Sequence, residues 1–282
     1  MYVDAHVHVI APGLGVRDET IPPSAVGEFF DVDRILEQTR ADRVILSPWV
    51  QLLDLDARLH NAALAELVSD RVAVLGATPA MTADELRAAM GSGLAGVEVA
   101  ARVAGAYLGD DRFAPFWAAA EETGALVFVH PSTRGFEGPG DHYIWNTVGN
   151  PLETTITAAH LVMAGVLERH PDLRVLLAHG GGAVLALRGR LRHAHEHIGA
   201  ARTALREPVD DSLRRLYFDT VTHDPAVLRA LVEFVGADHV LAGSDHPFDM
   251  GDPDPAATVR DAGLSLADSV AILGGNAERL LA

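Results

Sequence analysis

The chain alternates eight times between a short apolar run and an amphipathic stretch, and few architectures accept that rhythm. The apolar runs are Tyr2–Val9, Val44–Trp49, Val72–Thr78, Ala95–Ala100, Leu126–His130, Val175–His179, Leu216–Val221 and Val240–Ser244. They are short and rich in Val, Leu and Ile, as parallel strands buried on both faces are. Between them the spacing changes to that of a helix. Asp110-Asp111 precede a stripe of Phe113, Phe116, Trp117 and Ala120 that stops at Gly124. Asn150 followed by Pro151 reads as the cap and first turn of a helix that runs to Arg169 and ends at His170-Pro171. Asp224-Pro225 opens another, which closes near Gly236, and Asp84–Met90 and Ser265–Leu273 are shorter ones. Eight such units in 282 residues predict an α/β fold, a single (β/α)8 TIM barrel over residues 1–282. The alternative is a doubly wound open sheet, but no G-x-G-x-x-G follows the first strand to support it. Three loops rich in Gly and Pro, Ala11–Glu28, Pro131–Gly149 and Pro247–Pro255, each follow a strand. That places them on the barrel face where active sites form.

Composition removes whole classes of chemistry. The net charge of −17 argues against a nucleic-acid partner. With no cysteine, thiolate nucleophiles, iron–sulfur clusters and cysteine zinc sites are excluded. All 22 cationic residues are Arg, so Schiff-base chemistry and a carboxylated-lysine metal bridge are excluded too. Val3-Asp4-Ala5-His6 follows the first two residues with no basic or long apolar leader, and no apolar run approaches the roughly 20 residues that span a bilayer. The expectation is a cytoplasmic protein with no membrane partner.

Fourteen histidines remain, and several stand at strand ends. Asp4, His6 and His8 alternate with Ala5, Val7 and Val9, which on a strand puts the three on one face. Two imidazoles two residues apart can both reach one divalent cation. His130 and His179 end apolar runs, and Asp245 ends the eighth in Gly243-Ser244-Asp245-His246-Pro247. In a closed barrel all of these converge at one mouth. Histidine and carboxylate donors suit zinc, and also manganese or iron. A cation there would acidify a water or polarise a substrate oxygen. His179-Gly180-Gly181-Gly182 resembles an esterase oxyanion loop, but the G-x-S-x-G elbow such enzymes need is absent. His193, His195 and His197 lie on an Arg-rich helix without the H-E-x-x-H pattern, which predicts a solvated or subunit-contact face.

With these residues placed, the chain resembles the amidohydrolase superfamily. It is most similar to the branch of α-amino-β-carboxymuconate-ε-semialdehyde, γ-resorcylate and 5-carboxyvanillate decarboxylases. The resemblance runs through Asp4-Ala5-His6-Val7-His8, Phe128-Val129-His130-Pro131, Val148–Thr155, Leu177–Gly182 and Gly243–Phe248. It implies a mononuclear site with His6, His8, His130 and Asp245 as ligands, and His179 acting on the reacting atoms. The absence of lysine agrees with one metal. The chain departs from the branch at Ala101-Arg102, where Thr-His is frequent, at Trp49, and at His246, where Tyr is frequent.

These readings predict a metal-dependent decarboxylase of a small aromatic or unsaturated carboxylic acid, with one divalent ion, zinc first and Mn2+ or Fe2+ as alternatives. His179 and Asp245 are the catalytic candidates for managing the proton. Arg102, Arg134 and His142 are candidates for a second anionic group, and Trp145 and Trp49 for stacking on a ring. The alternative is a metal-dependent hydrolase of a lactone, ester or amide. A homodimer through Arg188–Arg206 and Ala271–Ala282 is implied by the branch.

Overall fold

The computed structural model describes residues 1–14, 29–132 and 138–282. Eight parallel strands follow one another around a barrel: β1 (Val3–Val9), β2 (Arg43–Pro48), β3 (Val72–Ala77), β4 (Gly96–Ala100), β5 (Leu126–His130), β6 (Arg174–Leu177), β7 (Tyr217–Asp219) and β8 (Val240–Leu241). The barrel closes where the Ala5 N–H donates to the Ala242 carbonyl at 2.8 Å and the His8 N–H to the His246 carbonyl at 2.8 Å. A two-residue hairpin, Arg102–Val103 with Ala106–Tyr107, follows β4. Closure excludes the open sheet, and each strand lies within the run expected for it or a residue or two from it.

Alternation along the strands divides the core. Val44, Leu46, Val72, Val74, Val127 and Val175 point outward and pack with Ile35, Leu64, Leu86, Phe116 and Leu161 of the helices. Ile45, Leu75, Leu126, Phe128, Leu176 and Leu241 point inward and fill the barrel below its mouth. β4 and β5 approach so closely that a Cβ on Gly96 would stand 2.0 Å from the Leu126 carbonyl oxygen, so only glycine fits there. The last helix, Asn276–Leu281, plugs the bottom with Ala277 and Leu280. The apolar side of this helix is therefore used within the chain.

Several helices start where the sequence signals them. Thr82 and Glu85 form a reciprocal capping box, and the Asp224 carboxylate accepts the Ala226 N–H. The Asn150–Arg169 expectation needs correction at both ends. Asn150 is no cap: the chain is already helical through a π-turn at Trp145–Gly149, which accommodates Pro151 inside the helix. The helix then breaks at Gly165, whose φ of 67° opens a separate turn, Val166–Arg169. His195 is also no surface residue; it is buried, its Nε2 donating to the Leu205 carbonyl at 3.0 Å.

His60, in the helix Ala57–Ala65, is fully buried, and neither ring nitrogen has a hydrogen-bond partner among the described residues. Burial pulls its pKa down to about 4. Between the unfolded value of about 6.5 and 4, the unfolded chain takes up a proton that the fold refuses. His60 therefore subtracts stability as pH falls through that window. Urea unfolding of His60→Leu should show it at least as stable as wild type at pH 7, with the advantage larger at pH 5. An unchanged difference at the two pH values contradicts this reading.

Candidate active site

The first strand sets the site through an irregularity. Asp4 pairs with Val44 and Val7 with Leu46, so three steps of β1 match two of β2. The bulge resets the alternation. Val3 and Ala5 pack inside the barrel, Val7 and Val9 pack outward, and His6 and His8 both face the mouth. Asp4 does not share their face. Its Oδ1 accepts the N–H of His6 at 3.2 Å and of Ser244 at 3.0 Å, and the Tyr2 hydroxyl donates to Oδ2 at 3.2 Å. Asp4 thus satisfies the bulged residue's N–H and ties β1 to the turn after β8.

Four donor atoms then meet. His6 Nε2 lies 3.1 Å from His8 Nε2, and Asp245 Oδ1 lies 3.2 Å from each. Donors about 2.0–2.2 Å from a tetrahedral cation stand roughly 3.3–3.5 Å apart, close to this triangle. His130 Nε2 is buried without a hydrogen-bond partner among the described residues, and its ring lies 4.8 Å from that of His8 and 5.3 Å from that of His6. Donor atoms of His6, His130, His179 and Asp245 all lie within 4.8 Å of one another. His179 Nε2 sits 3.3 Å from Asp245 Oδ2, the oxygen that His6 and His8 leave free.

The outer nitrogens explain why the inner ones converge. His6 Nδ1 donates to Asp219 at 2.6 Å, His8 Nδ1 to the Ser47 hydroxyl at 3.2 Å, and His130 Nδ1 to the Pro131 carbonyl at 2.9 Å. Each bond fixes a tautomer whose Nε2 carries a lone pair toward the centre. The backbone at His179 and Asp245 is left-handed, with φ of 57° and 62°, which turns both side chains over the mouth. Gly182 follows with φ +65°, and a Cβ there would stand 2.1 Å from the Pro151 carbonyl oxygen.

The electrostatics favour a cation. Burial and the neighbouring imidazoles hold His130 well below its ordinary pKa, and burial lowers His8, so both are neutral donors. Burial raises Asp245, but His6, His179 and His8 outweigh it and hold the carboxylate ionised well below the usual range. Burial also lowers His6, yet Asp245 and Asp219 push it up to about 10. Without a cation, a proton on His6 supplies the positive charge; a metal would displace it.

A cleft of about 130 Å³ opens over these groups, lined by Trp49, Trp145, Tyr143 and Phe248. Both tryptophans proposed for ring stacking line this cleft. The anion-binding expectation fares differently. Arg102 lines a neighbouring cleft that shares only Val50 and Ser132 with this one, and its Nε donates to the Gly105 carbonyl. His142 is exposed beside Asp141 and lines neither cleft, because the chain turns outward at its left-handed φ of 56°. Arg134 lies outside the described residues.

Sequence reasoning passed over Asp219, Glu98, Asn146 and Asn150. Asp219 closes an apolar strand as His130 does, and Glu98 interrupts one, so both left a signal. Asn146 in the π-turn and Asn150 directly after it line the cleft, and a π-turn leaves no local signature.

A family model described as Amidohydrolase matches residues 3–282. The chain belongs to the amidohydrolase family. Within it, the chain is 30% identical over 241 residues to a 2-amino-3-carboxymuconate-6-semialdehyde decarboxylase from Dictyostelium discoideum, covering 81% of this chain and 67% of that one. It is 34% identical over 148 residues to a 6-methylsalicylic acid decarboxylase from Penicillium expansum, covering 50% and 44%. The match thus spans less than half the length of the fungal relative. The solved 5-carboxyvanillate decarboxylase of Sphingomonas paucimobilis superposes with a TM-score of 0.84 at 23% identity, over 99% of this chain and 98% of that one. A dihydroxybenzoic acid decarboxylase of a Polaromonas species, solved with bound manganese and an inhibitor, superposes with a TM-score of 0.81 at 20% identity, over 99% and 96%. These likenesses place the amidohydrolase among barrels of the same fold. No helix among the described residues is long and apolar enough to cross a membrane.

Asp219 holds this arrangement from below, taking N–H groups from His179 at 2.9 Å, Gly180 at 2.7 Å and Val221 at 3.0 Å besides the His6 ring. Asp219→Asn puts a donor against donors in a buried site. It should lower unfolding free energy by about 3 kcal/mol or more and weaken divalent-ion binding, both read by thermal unfolding with and without added Zn2+. A variant within 0.5 kcal/mol of wild type, on the scale of a neutral surface change, contradicts that role.

Proposed function

We propose that this amidohydrolase is a decarboxylase of a small aromatic or unsaturated carboxylic acid and depends on one divalent cation. The observation that carries the reading is the convergence of His6, His8 and His130 Nε2 with Asp245 Oδ1 beneath an aromatic-lined cleft. Relatives whose names specify decarboxylation of carboxymuconate semialdehyde, 6-methylsalicylate and γ-resorcylate support it. His6, His8, His130 and Asp245 would hold the cation. When bound, the cation supplies Lewis-acid polarisation of the substrate's carboxylate and neighbouring oxygen. Three imidazoles and one carboxylate suit zinc, with manganese or iron accepted by the same set.

The chain's own residues divide the remaining work. Trp49, Trp145, Tyr143 and Phe248 offer flat apolar faces to a planar substrate and limit water in the cleft. Decarboxylation requires a proton at the carbon that loses the carboxyl group. Asp245 is held ionised by three imidazoles, so it carries no proton to give. His179 stands at the rim with Nε2 toward Asp245 and Nδ1 without a partner among the described residues. In this reading His179 delivers the proton, and Asp245 orients it. The proposed homodimer rests on the Val184–His197 helix, near which Leu187 and Ile198 stand exposed.

Incubation with hydroxylated benzoates and an unsaturated dicarboxylate, with headspace carbon dioxide as the readout, tests the activity. Carbon dioxide release is expected for at least one acid. Cleavage of a lactone, ester or amide panel with no carbon dioxide from any acid would move the chain to the hydrolase alternative. His179→Asn should lower kcat by about 100-fold or more with KM and bound metal retained. Full turnover in that variant removes His179 from the proton role.

A further inference from the structure

One buried carboxyl group takes no part in the scheme above. Glu98 lies in the middle of β4, fully buried and pointing into the barrel. Its register partners are Ala77 on β3 and Phe128 on β5, so it is set between apolar neighbours. Neither carboxyl oxygen makes a hydrogen bond of good geometry among the described residues, though the Ser47 hydroxyl is close enough to interact with it, and burial pushes the carboxyl well above the usual carboxylate range. Burying such a group without a good hydrogen bond costs free energy, and a leucine at the same place would not. The barrel interior therefore gains nothing from Glu98.

What Glu98 does face is His8. Its Oε2 stands 3.8 Å from His8 Nδ1, on the side of the ring opposite the converging Nε2 atoms. The Ser47 hydroxyl shares that side, 3.2 Å from His8 Nδ1 and 3.3 Å from the Val7 carbonyl. The other two imidazoles each have one strong acceptor behind them, the Asp219 carboxylate at 2.6 Å and the Pro131 carbonyl at 2.9 Å. Behind His8 the acceptors are the neutral Ser47 hydroxyl and the Pro48 backbone, weaker backing than the carboxylate behind His6.

We propose that Glu98 is a positioning residue for the metal site: its carboxyl group stands behind the His8 ring, 3.8 Å from Nδ1 and beside the Ser47 hydroxyl that accepts the Nδ1 proton, and makes His8 Nε2 a better donor to the cation. This rests on the metal-dependent reading above. It assigns Glu98 a cost in the metal-free fold and a return only when the cation is present. An acceptor behind a ligating imidazole is worth about 10–100-fold in metal affinity.

The test uses the full chain stripped of metal, with Glu98→Leu and Glu98→Gln beside wild type. Affinity for Zn2+ and for Mn2+ is measured by competition with a chromogenic chelator, and thermal unfolding is followed on the metal-free proteins. Glu98→Leu should bind at least about tenfold more weakly while its metal-free midpoint is equal to or above wild type. Glu98→Gln, which keeps a carbonyl oxygen there but cannot ionise, should fall between. Affinity within about threefold of wild type in Glu98→Leu overturns the proposal. So does a metal-free Glu98→Leu that unfolds earlier than wild type, which is the mark of a purely structural residue. If Glu98→Leu fails to fold, Glu98→Gln decides: a loss of about threefold or more supports the role and a smaller one overturns it. Wild type that binds neither ion fails the metal reading itself, a result distinct from wild type that binds while both variants match it.

Discussion

The site depends on one carboxylate at the end of a strand of three residues. Asp219 accepts N–H groups from the His6 ring, from His179 and Gly180 in the glycine turn, and from Val221 beyond its own strand. It thereby links β1, the turn after β6 and the end of β7. Four donors on one buried anion outweigh the cost of burying it and keep it ionised below the usual carboxylate range. Because His6 Nδ1 is committed to Asp219, His6 Nε2 has one direction left, toward His8 and Asp245. Because His179 is held through its backbone N–H, its side chain is free to project over the mouth.

The donor set that results is poorly satisfied by itself. Imidazole nitrogens meet at 3.1 Å, another is buried without a partner, and a carboxylate oxygen closes the triangle. A single proton on His6 balances part of this and leaves His130 with nothing to bind. A dication at the centre answers every member at once. The same logic explains the aromatic roof: dry, flat walls strengthen the field below them and admit a planar acid. The left-handed His179 and Asp245 stand at the mouth, while the lower barrel is filled by apolar side chains and closed by Ala277 and Leu280.

The barrel was legible because its strands are short apolar runs with helices between, and periodicity carries that signal. His6, His8, His130, His179 and Asp245 were legible because polar residues ending apolar strands stand out. What escaped was local. Strict alternation would put Asp4 beside His6, and a bulge of one residue, invisible in the pattern, sends it to the barrel wall instead. Asn150-Pro151 imitates a helix start but lies inside a helix because a π-turn precedes it. Arg102 and His142 share the face of the site but not its cleft, since loop geometry rather than strand order decides which side chains reach inward. Asp219 and Glu98 were in view and read as strand residues, because a carboxylate behind a ligand makes no motif with it in sequence.

The most direct measurement is the divalent metal content of the chain, purified without chelator or a histidine tag, by elemental analysis. The account predicts about one ion per chain, lost in the paired substitution His6→Ala and His8→Ala with the barrel still folded by circular dichroism. Protein that carries no ion, and takes up neither zinc nor manganese when they are supplied, would contradict it.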